Sequence, residues 1–254
     1  MRRLVLDIGN TKTAAGIFRD GTLEVQWRVT TRHWTSDDLW VVLRTLLKTD
    51  DCPLPDAVTF ACVVPQVRHS MMDLSRRYLK VEPLEVTAET AGIEIRYSYP
   101  HELGADRLAN TAGAMKLGDL PAIVVDFGTA TTFDVIDGSG AYMGGAISPG
   151  VGTAAAELFK KAEKLNPVDL EFPESALGRS TSEAVRSGVL LGAAGATDYL
   201  LGRLIEEMEG IPELWATGGW ARGIAGRCES PLKVCPELTL VGIDSIGERW
   251  SDGW

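Results

Sequence analysis

The chain has 254 residues, enough for one large domain or two small ones at roughly 150 residues per domain. Hydrophobic residues make up 45% of it and charged residues 24%, which excludes a disordered chain and is typical of a soluble globular protein with a sizeable core. The net charge of −10, without any Lys/Arg run longer than two residues, disfavours binding to nucleic acid or to an anionic membrane.

The first half of the chain predicts three antiparallel strands followed by alternating helices and strands. Asp20-Gly21 is typical of a tight hairpin between the second and third strands. Thr35 and Asp38 form a weaker version of the capping box at the start of the first helix. The predicted elements are strands at Leu4–Leu6, Ala14–Phe18 and Leu23–Val29, a helix with an apolar stripe of Leu39, Leu43, Leu46 and Leu47, a strand at Ala57–Val64, a helix to about Leu79, a short strand near Leu84–Val86 and a helix over Leu108–Leu117.

The second half repeats this order. Asp137-Gly138 predicts a second tight hairpin. The predicted elements are strands at Ile123–Val125 and Thr132–Ile136, a third strand, helices over about Thr153–Lys164 and Ser182–Met208, and a strand at Leu214–Thr217. The pattern therefore predicts an α/β fold built twice, with a cleft between the halves.

An internal repeat supports this duplication. Leu4–Leu23 matches Ile123–Tyr142 at a shift of 119 positions. The matched pairs are Asp7 with Asp126, Gly9 with Gly128, Thr13 with Thr132 and Gly21 with Gly140. One copy in each half predicts two related domains, residues 1–118 and 119–254, and not a solenoid, which needs at least about three short repeats.

Each copy carries a Gly/Thr-rich turn after a strand that ends in an aspartate. The segments are Asp7-x-Gly9-Asn10-Thr11-x-Thr13 and Asp126–Thr132. Either turn could bind phosphate through backbone N–H and hydroxyl groups, and Asp7 could hold Mg²⁺ through water. A well-made hairpin turn would use the same residue types. Two copies favour a nucleotide held between two phosphate loops.

Two further motifs admit both a functional and a structural interpretation. Gly218-Gly219 follows a strand and could let a nucleoside lie against bare backbone, or it could be a turn into a helix. In Gly104-Ala105-Asp106-Arg107, Asp106 could deprotonate an attacking hydroxyl while Arg107 binds an anion. The alternative is an acid that stabilises the first turn of a helix.

Several common sites are absent from the sequence. It has no G-x-x-x-x-G-K-[ST] P-loop and no G-x-G-x-x-G Rossmann fingerprint. Scattered histidines disfavour a zinc site. The four cysteines show no C-x-x-C spacing, and no apolar run approaches the ~18 residues that span a bilayer. The start of the sequence shows no signal-peptide pattern. Together these features predict a cytoplasmic protein.

Five motifs, in this order, closely resemble the type III pantothenate kinases. They are Asp7-x-Gly-Asn-Thr, Gly104-Ala-Asp-Arg, Asp126-Phe-Gly-Thr-Ala-Thr-Thr, Gly144-Gly-Ala-Ile-Ser-Pro-Gly and Ala216-Thr-Gly-Gly. The resemblance covers nearly the whole chain. It implies duplicated ribonuclease H-like domains of the actin-like ATPase fold, as in the acetate and sugar kinase, Hsp70 and actin superfamily. It also implies ATP-dependent phosphorylation of pantothenate, the first step of coenzyme A biosynthesis, with Mg²⁺ and a monovalent cation, K⁺ or NH₄⁺.

The same resemblance implies roles for individual residues. Asp106 would be the proton acceptor and Asp126 would bind the monovalent cation. ATP would contact Asp7, Ile8, Gly9, Asn10, Thr11, Lys12, Thr13, Ala14 and Thr129, while Gly218 and Gly219 are the residues expected beside its nucleoside. Pantothenate would contact Tyr97, Gly104, Ala105, Asp106, Arg107 and Thr181. Where the family usually has Asn-Thr, this chain has Ser180-Thr181.

The resemblance also implies a homodimer in which Thr181 reaches the partner's substrate site. The long helix beside it contains Gly188, Gly192 and Gly195, which would permit close packing within the domain or across a dimer. Two alternatives to this enzyme stay open: a nucleotide-binding regulatory protein similar to the Bvg accessory factors, and a kinase acting on another small hydroxyl acid. Intact Asp7, Asp106, Arg107 and Asp126 favour the pantothenate kinase.

Overall fold

Two units make up the chain in the computed structural model, which describes residues 1–251. Met1–Leu117 and the segment from Glu237 onward form the first unit, and Gly118–Pro236 forms the second. The first boundary lies one residue from the predicted one. The prediction that the chain's end belongs to the second domain is wrong, because the last helix packs into the first unit.

The first unit is built on a five-stranded sheet of order β3-β2-β1-β4-β5. The strands are β1 (Arg2–Ile8), β2 (Lys12–Arg19), β3 (Thr22–Thr30), β4 (Ala57–Cys62) and β5 (Leu84–Glu85). The first three pair antiparallel, and β4 and β5 add in parallel. Leu4, Val5, Leu6 and Ile8 are fully buried, as expected for a central strand covered on both faces.

Three helices follow in this unit. They are α1 (Ser36–Thr49), α2 (Pro65–Leu74), which continues as a π-helix over Ser75–Leu79, and α3 (Ala105–Leu117). The capping box at Thr35 is confirmed, with both of its hydrogen bonds to Asp38 present. Strand β4 ends two residues earlier than predicted because Val64 is the N-cap of α2 and Pro65 is its first residue.

The second unit repeats the same sheet. Its strands are β6 (Ala122–Phe127), β7 (Ala130–Ile136), β8 (Tyr142–Pro149), β9 (Glu213–Thr217) and β10 (Lys233–Val234), in the order β10-β9-β6-β7-β8. Its helices are α4 (Val151–Lys161), α5 (Thr181–Glu206) and α6 (Ala221–Ala225). None of the helices within residues 1–251 is both long and apolar enough to cross a membrane.

The two copies share detail beyond strand order. Both meanders are irregular at equivalent places, between Ile17 and Phe18 and between Val135 and Ile136. The first hairpin loop is one residue longer, however. Thr13 pairs with Ile8, whereas Thr131 pairs with Phe127. The structural counterpart of Thr13 is therefore Thr131 and not Thr132, because a uniform shift of 119 ignores the longer loop.

The hairpins at the other end of these strands also differ. Asp20 (φ 48°) and Gly21 (φ 77°) both adopt the left-handed backbone of a tight two-residue turn. The predicted Asp137-Gly138 turn is wrong, because residues 137–141 form a five-residue loop. In it Asp137 accepts hydrogen bonds from the backbone of Ser139 and Ala141, and Gly140 takes the positive φ of 87°.

The C-terminal helix α7 (Leu238–Ser251) was not predicted. It is held in the first unit by a buried ion pair in which Arg3 Nη1 lies 2.7 Å from Asp244 Oδ1. The pKa of Asp244 is raised because burial outweighs the opposing effect of Arg3. Removing one partner of such a pair typically costs 3–5 kcal/mol, so this contact is a strong anchor for the chain's end.

Candidate active site

The first Gly/Thr turn connects β1 and β2 over residues 9–11. The backbone N–H of Gly9 donates to the carbonyl of Lys12 at 3.1 Å, and Thr31 supports the loop from β3's end. Thr31 Oγ1 donates to the Gly9 carbonyl at 2.7 Å, and the Thr31 N–H donates to the Thr11 carbonyl. Asn10, Thr11 and Lys12 are exposed at the tip. The loop is therefore a fixed turn whose polar tip can contact a ligand.

Two predicted ATP residues of this loop, Ile8 and Thr13, have buried side chains. The side chains of Ile8 and Thr13 are 0% and 1% exposed. Thr13 Oγ1 lies 2.9 Å from Thr31 Oγ1, a hydrogen bond that joins β2 to the end of β3. These two side chains pack beneath the turn, whereas the tip is exposed and Asp7 and Ala14 are half-buried.

Asp106 lies in the first turn of α3, two residues after Gly104. Its Oδ1 accepts a hydrogen bond from the Arg107 backbone N–H at 2.9 Å. A Cβ on Gly104 would overlap this oxygen, so only glycine leaves the carboxylate its place. Burial raises the pKa of Asp106 above its ordinary value, opposed by this hydrogen bond and by the Arg107 charge.

Arg107 is almost completely buried, at 6% exposure, and its charge acts on the neighbouring Asp106 carboxyl. A cation in this position is typical of an anion-binding site or of a structural ion pair. Tyr97, the other predicted contact of pantothenate in this unit, is 38% exposed in the irregular segment before α3. The unit thus places a desolvated carboxylate and a buried cation side by side at the start of one helix.

The second Gly/Thr turn connects β6 and β7 through Gly128 and Thr129. The Gly128 N–H donates to the Ala130 carbonyl at 3.0 Å, the same closure as in the first loop. The carbonyl of Thr129 accepts from the Gly150 N–H at 3.1 Å and from Thr153 Oγ1 at 2.6 Å. The start of α4 therefore holds this loop, a contact that the sequence motifs did not indicate.

Asp126 and Gly218 meet at the ends of two neighbouring parallel strands. Asp126 is in register with Thr217 across β6 and β9. Gly218 has φ of +91°, and a Cβ there would overlap Asp126 Oδ1 and lie 2.7 Å from Phe127 N. By contrast, a Cβ on Gly219 would meet nothing within 4 Å. Gly218 is thus required by close backbone approach, and Gly219 faces open space.

Thr181 is the first residue of α5, and Ser180 is its N-cap, accepting from the Glu183 N–H at 3.3 Å. Serine caps a helix about as well as asparagine, so Ser180 in place of the family's Asn preserves this helix start. Thr181 also lines a cavity of about 740 Å³ between α5, α4 and the sheet. Phe127 and Pro149, which flank the second loop and the start of α4, form part of its floor.

The predicted residues therefore group within each unit. Asp106 lies beside Gly104 and Arg107 in the first unit, and Asp126 lies beside Gly128 and Gly218 in the second. Sequence reasoning missed two residues that hold the loops, Thr31 and Thr153, and it quoted Gly150 in a motif without assigning it this contact. Within residues 1–251, no group of three or more His, Cys, Asp or Glu side chains could hold a metal ion.

Comparison with known proteins identifies the family. The family model for type III pantothenate kinase matches residues 3–203. The chain belongs to this family. It is 41% identical to the type III pantothenate kinase of Desulfatibacillum aliphaticivorans over 98% of the chain and 99% of that protein. Identity to the Desulfosudis oleivorans type III pantothenate kinase is 44%, over 96% of the chain and 98% of that protein.

The solved structures agree on the fold. The activator of 2-hydroxyisocaproyl-CoA dehydratase from Clostridium difficile, with bound ADPNP, is similar with a TM-score of 0.60 and 13% identity. The match covers 100% of this chain and 98% of that one. The expected duplicated actin-like ATPase fold is confirmed. Membership of the family likewise confirms the expected enzyme class, a pantothenate kinase, and a kinase of this fold implies ATP and a divalent metal ion as cofactors.

Proposed function

We propose that the protein transfers the γ-phosphoryl group of ATP to the primary hydroxyl of pantothenate, with Asp106 as the proton acceptor. The observation that carries this assignment is the raised pKa of a carboxylate placed beside the buried Arg107 at the start of α3. A base works best when its pKa lies near the working pH. Burial raises the pKa of Asp106 in that direction.

In this mechanism Asp106 accepts the hydroxyl proton as the hydroxyl oxygen forms a bond to the γ-phosphorus. The bond between that phosphorus and the bridging oxygen breaks, and ADP leaves. Arg107 binds the pantothenate carboxylate or the transferring phosphoryl group as a fixed cation. Since phosphoryl transfer depends mainly on positioning and charge neutralisation, orienting the hydroxyl is the main contribution of this helix start.

The phosphates of ATP are assigned to the two Gly/Thr turns. Asn10, Thr11 and Lys12 offer exposed polar groups in the first, and Gly128 and Thr129 are exposed in the second. The nucleoside is assigned to Gly219, where the backbone is open on the side that a Cβ would occupy. Gly218 supports this assignment indirectly, because its lack of a Cβ lets the end of β9 lie directly against the Asp126 carboxylate.

The carboxylates fit metal ions that are shared with the substrate. Asp7 and Asp126 each lie near the end of a strand, and residues 1–251 contain no group of three or more His, Cys, Asp or Glu side chains that could hold a metal ion. Mg²⁺ commonly uses one or two carboxylates and completes its coordination with phosphates and water. Asp7 would hold it through water, and Asp126 would hold K⁺ or NH₄⁺. When bound, these ions neutralise charge on the transferring phosphoryl group.

A homodimer is proposed from the exposed face of α5. Thr181, Gly188, Gly195 and Gly202 recur at seven-residue intervals on this face, which also carries Gly192 and the 70% exposed Tyr199. A Cβ on any of these glycines would meet nothing within 4 Å, so packing within the unit does not explain them. Each glycine inside a helix costs about 1 kcal/mol relative to alanine. A second copy packed on this face would offset that cost and bring Thr181 to the partner's pantothenate.

We place the reaction in the cytoplasm. The four cysteines are all free in the structure, and none is paired in a disulfide. Reduced thiols are the normal state of cytosolic proteins.

The test is a coupled ADP-release assay with pantothenate and ATP. The wild type should release ADP in proportion to pantothenate, and Asp106→Asn should lower kcat by at least about 10²-fold, as loss of a general base does. Asp73→Asn, on the exposed surface of α2, serves as the matched control and should keep the wild-type rate. Near-normal turnover in folded Asp106→Asn would exclude the assigned base. ATP binding without pantothenate turnover in the wild type would instead favour the regulatory alternative.

A further inference from the structure

Helix α3, which carries the proposed base, crosses helix α7 at very short range. A Cβ on Gly242 of α7 would overlap the Ala109 carbonyl and lie 2.7 Å from Gly113 N. A Cβ on Gly113 of α3 would in turn overlap the Leu238 carbonyl. Glycine on both helices therefore brings the two backbones into direct contact. This backbone contact fixes the distance between the two helices. The rotation of each helix about its own axis is then set by side-chain contacts.

One buried side-chain hydrogen bond provides that directional restraint. Thr239 Oγ1 on α7 donates to Asn110 Oδ1 on α3 at 2.7 Å. Asn110 is 0% exposed and Thr239 is 8% exposed. A hydrogen bond in this environment is costly to lose, because the acceptor left behind has no water to replace the donor. The pair therefore fixes which face of α3 is turned toward α7.

Asn110 lies one helical turn after both proposed catalytic-site residues. It is four residues after Asp106 and three after Arg107, and residues at these spacings are neighbours on a helix surface. A rotation of α3 that moved Asn110 would move Asp106 and Arg107 with it. A misplacement of about 1 Å at a reacting group can cost 10²-fold in rate.

We infer that Thr239 is a positioning residue for pantothenate phosphorylation, acting through Asn110 to hold the first turn of α3. This inference rests on the proposed role of Asp106. Thr239 lies outside residues 3–203, the range that the family model matches. Its side-chain hydrogen bond goes to Asn110 of α3 and not to an assigned ATP residue, so its effect should fall on the reacting hydroxyl and not on nucleotide binding.

The experiment compares Thr239→Val with Thr239→Ser. Valine keeps the shape and removes the donor, and serine keeps the donor. Thr239→Val should lower kcat for pantothenate on the order of tenfold while the affinity for a non-hydrolysable ATP analogue, measured by calorimetry, stays within about twofold. Thr239→Ser should recover a rate within about threefold of the wild type. The acid limb of the pH–rate profile, which reports Asp106, should shift in the valine variant only.

A structural control separates positioning from general destabilisation. Ser75→Ala removes another fully buried hydroxyl of the first unit, which donates to the Val81 carbonyl. This variant should lose stability, measured by urea unfolding, without losing kcat at a temperature where it is folded.

Three results would overturn the inference: wild-type kcat in Thr239→Val, a serine variant as slow as the valine variant, or an equal loss of kcat in Ser75→Ala. A wild type that does not phosphorylate pantothenate is a separate result, because it rejects the proposed function itself.

Discussion

Gly218 and Gly219 are adjacent, yet the structure predicts opposite responses to alanine. At Gly218 the backbone has φ of +91°, where a residue with a Cβ is strained by about 1–2 kcal/mol. The new Cβ would also overlap Asp126 Oδ1 and lie 2.7 Å from Phe127 N, and overpacking of this kind costs typically 1–3 kcal/mol. Together the two effects should lower the free energy of unfolding by about 2–5 kcal/mol.

The Gly218→Ala variant should also lose function beyond its loss of stability. Because the Cβ displaces the Asp126 carboxylate, the dependence of kcat on the monovalent cation should weaken in this variant. Gly219→Ala is the matched control, since its Cβ would meet nothing within 4 Å and its backbone is not left-handed.

Thermal unfolding and ADP release at a series of K⁺ concentrations measure the two effects. For a chain of this size, each 1 kcal/mol shifts Tm by roughly 2–4 °C, so Gly218→Ala should melt at least about 4 °C below Gly219→Ala. Equal melting temperatures would refute the argument from φ and close contact. A destabilised Gly218→Ala with an unchanged K⁺ response would refute the link to Asp126.

Three further predictions concern the cation, the dimer and pH. Replacing K⁺ by a bulky organic cation should abolish most of the wild-type activity, whereas the Asp126→Ala variant should be slow in every salt. Equal wild-type rates in all salts would exclude the cation site. Gly192→Leu should weaken the dimer, measured by light scattering, and raise KM for pantothenate while ATP affinity persists. If no partner covers α5, the same change should instead stabilise the helix by up to about 1 kcal/mol and leave KM unchanged. Finally, kcat/KM should fall as pH drops through the pKa of Asp106, because only the ionised carboxylate accepts a proton. Since this pKa is raised, the fall in kcat/KM should occur above the ordinary aspartate value of about 3.9. A kcat/KM that stays constant down to pH 4 would contradict this prediction.

Local sequence determined the elements and the family. The central strands are continuous apolar runs, the α1 cap is a Thr-x-x-Asp pattern, and an Asp-x-Gly turn rich in threonine recurs in each half. All of these depend on residues within a few positions of one another, so one-dimensional reasoning reaches them. The motifs located Asp106, Asp126 and Gly218 for the same reason.

Tertiary structure decided what depends on distant contacts. No local pattern shows that α7 returns to the first unit, because Arg3 and Asp244 are 241 positions apart. The buried state of Thr13, which contacts Thr31, depends on β3 closing over the first loop. The hydrogen bond of Thr239 to Asn110 likewise joins two residues that are 129 positions apart in the sequence. Sequence periodicity reports which face of an element is apolar, but the partner of that face is selected only when the whole chain packs.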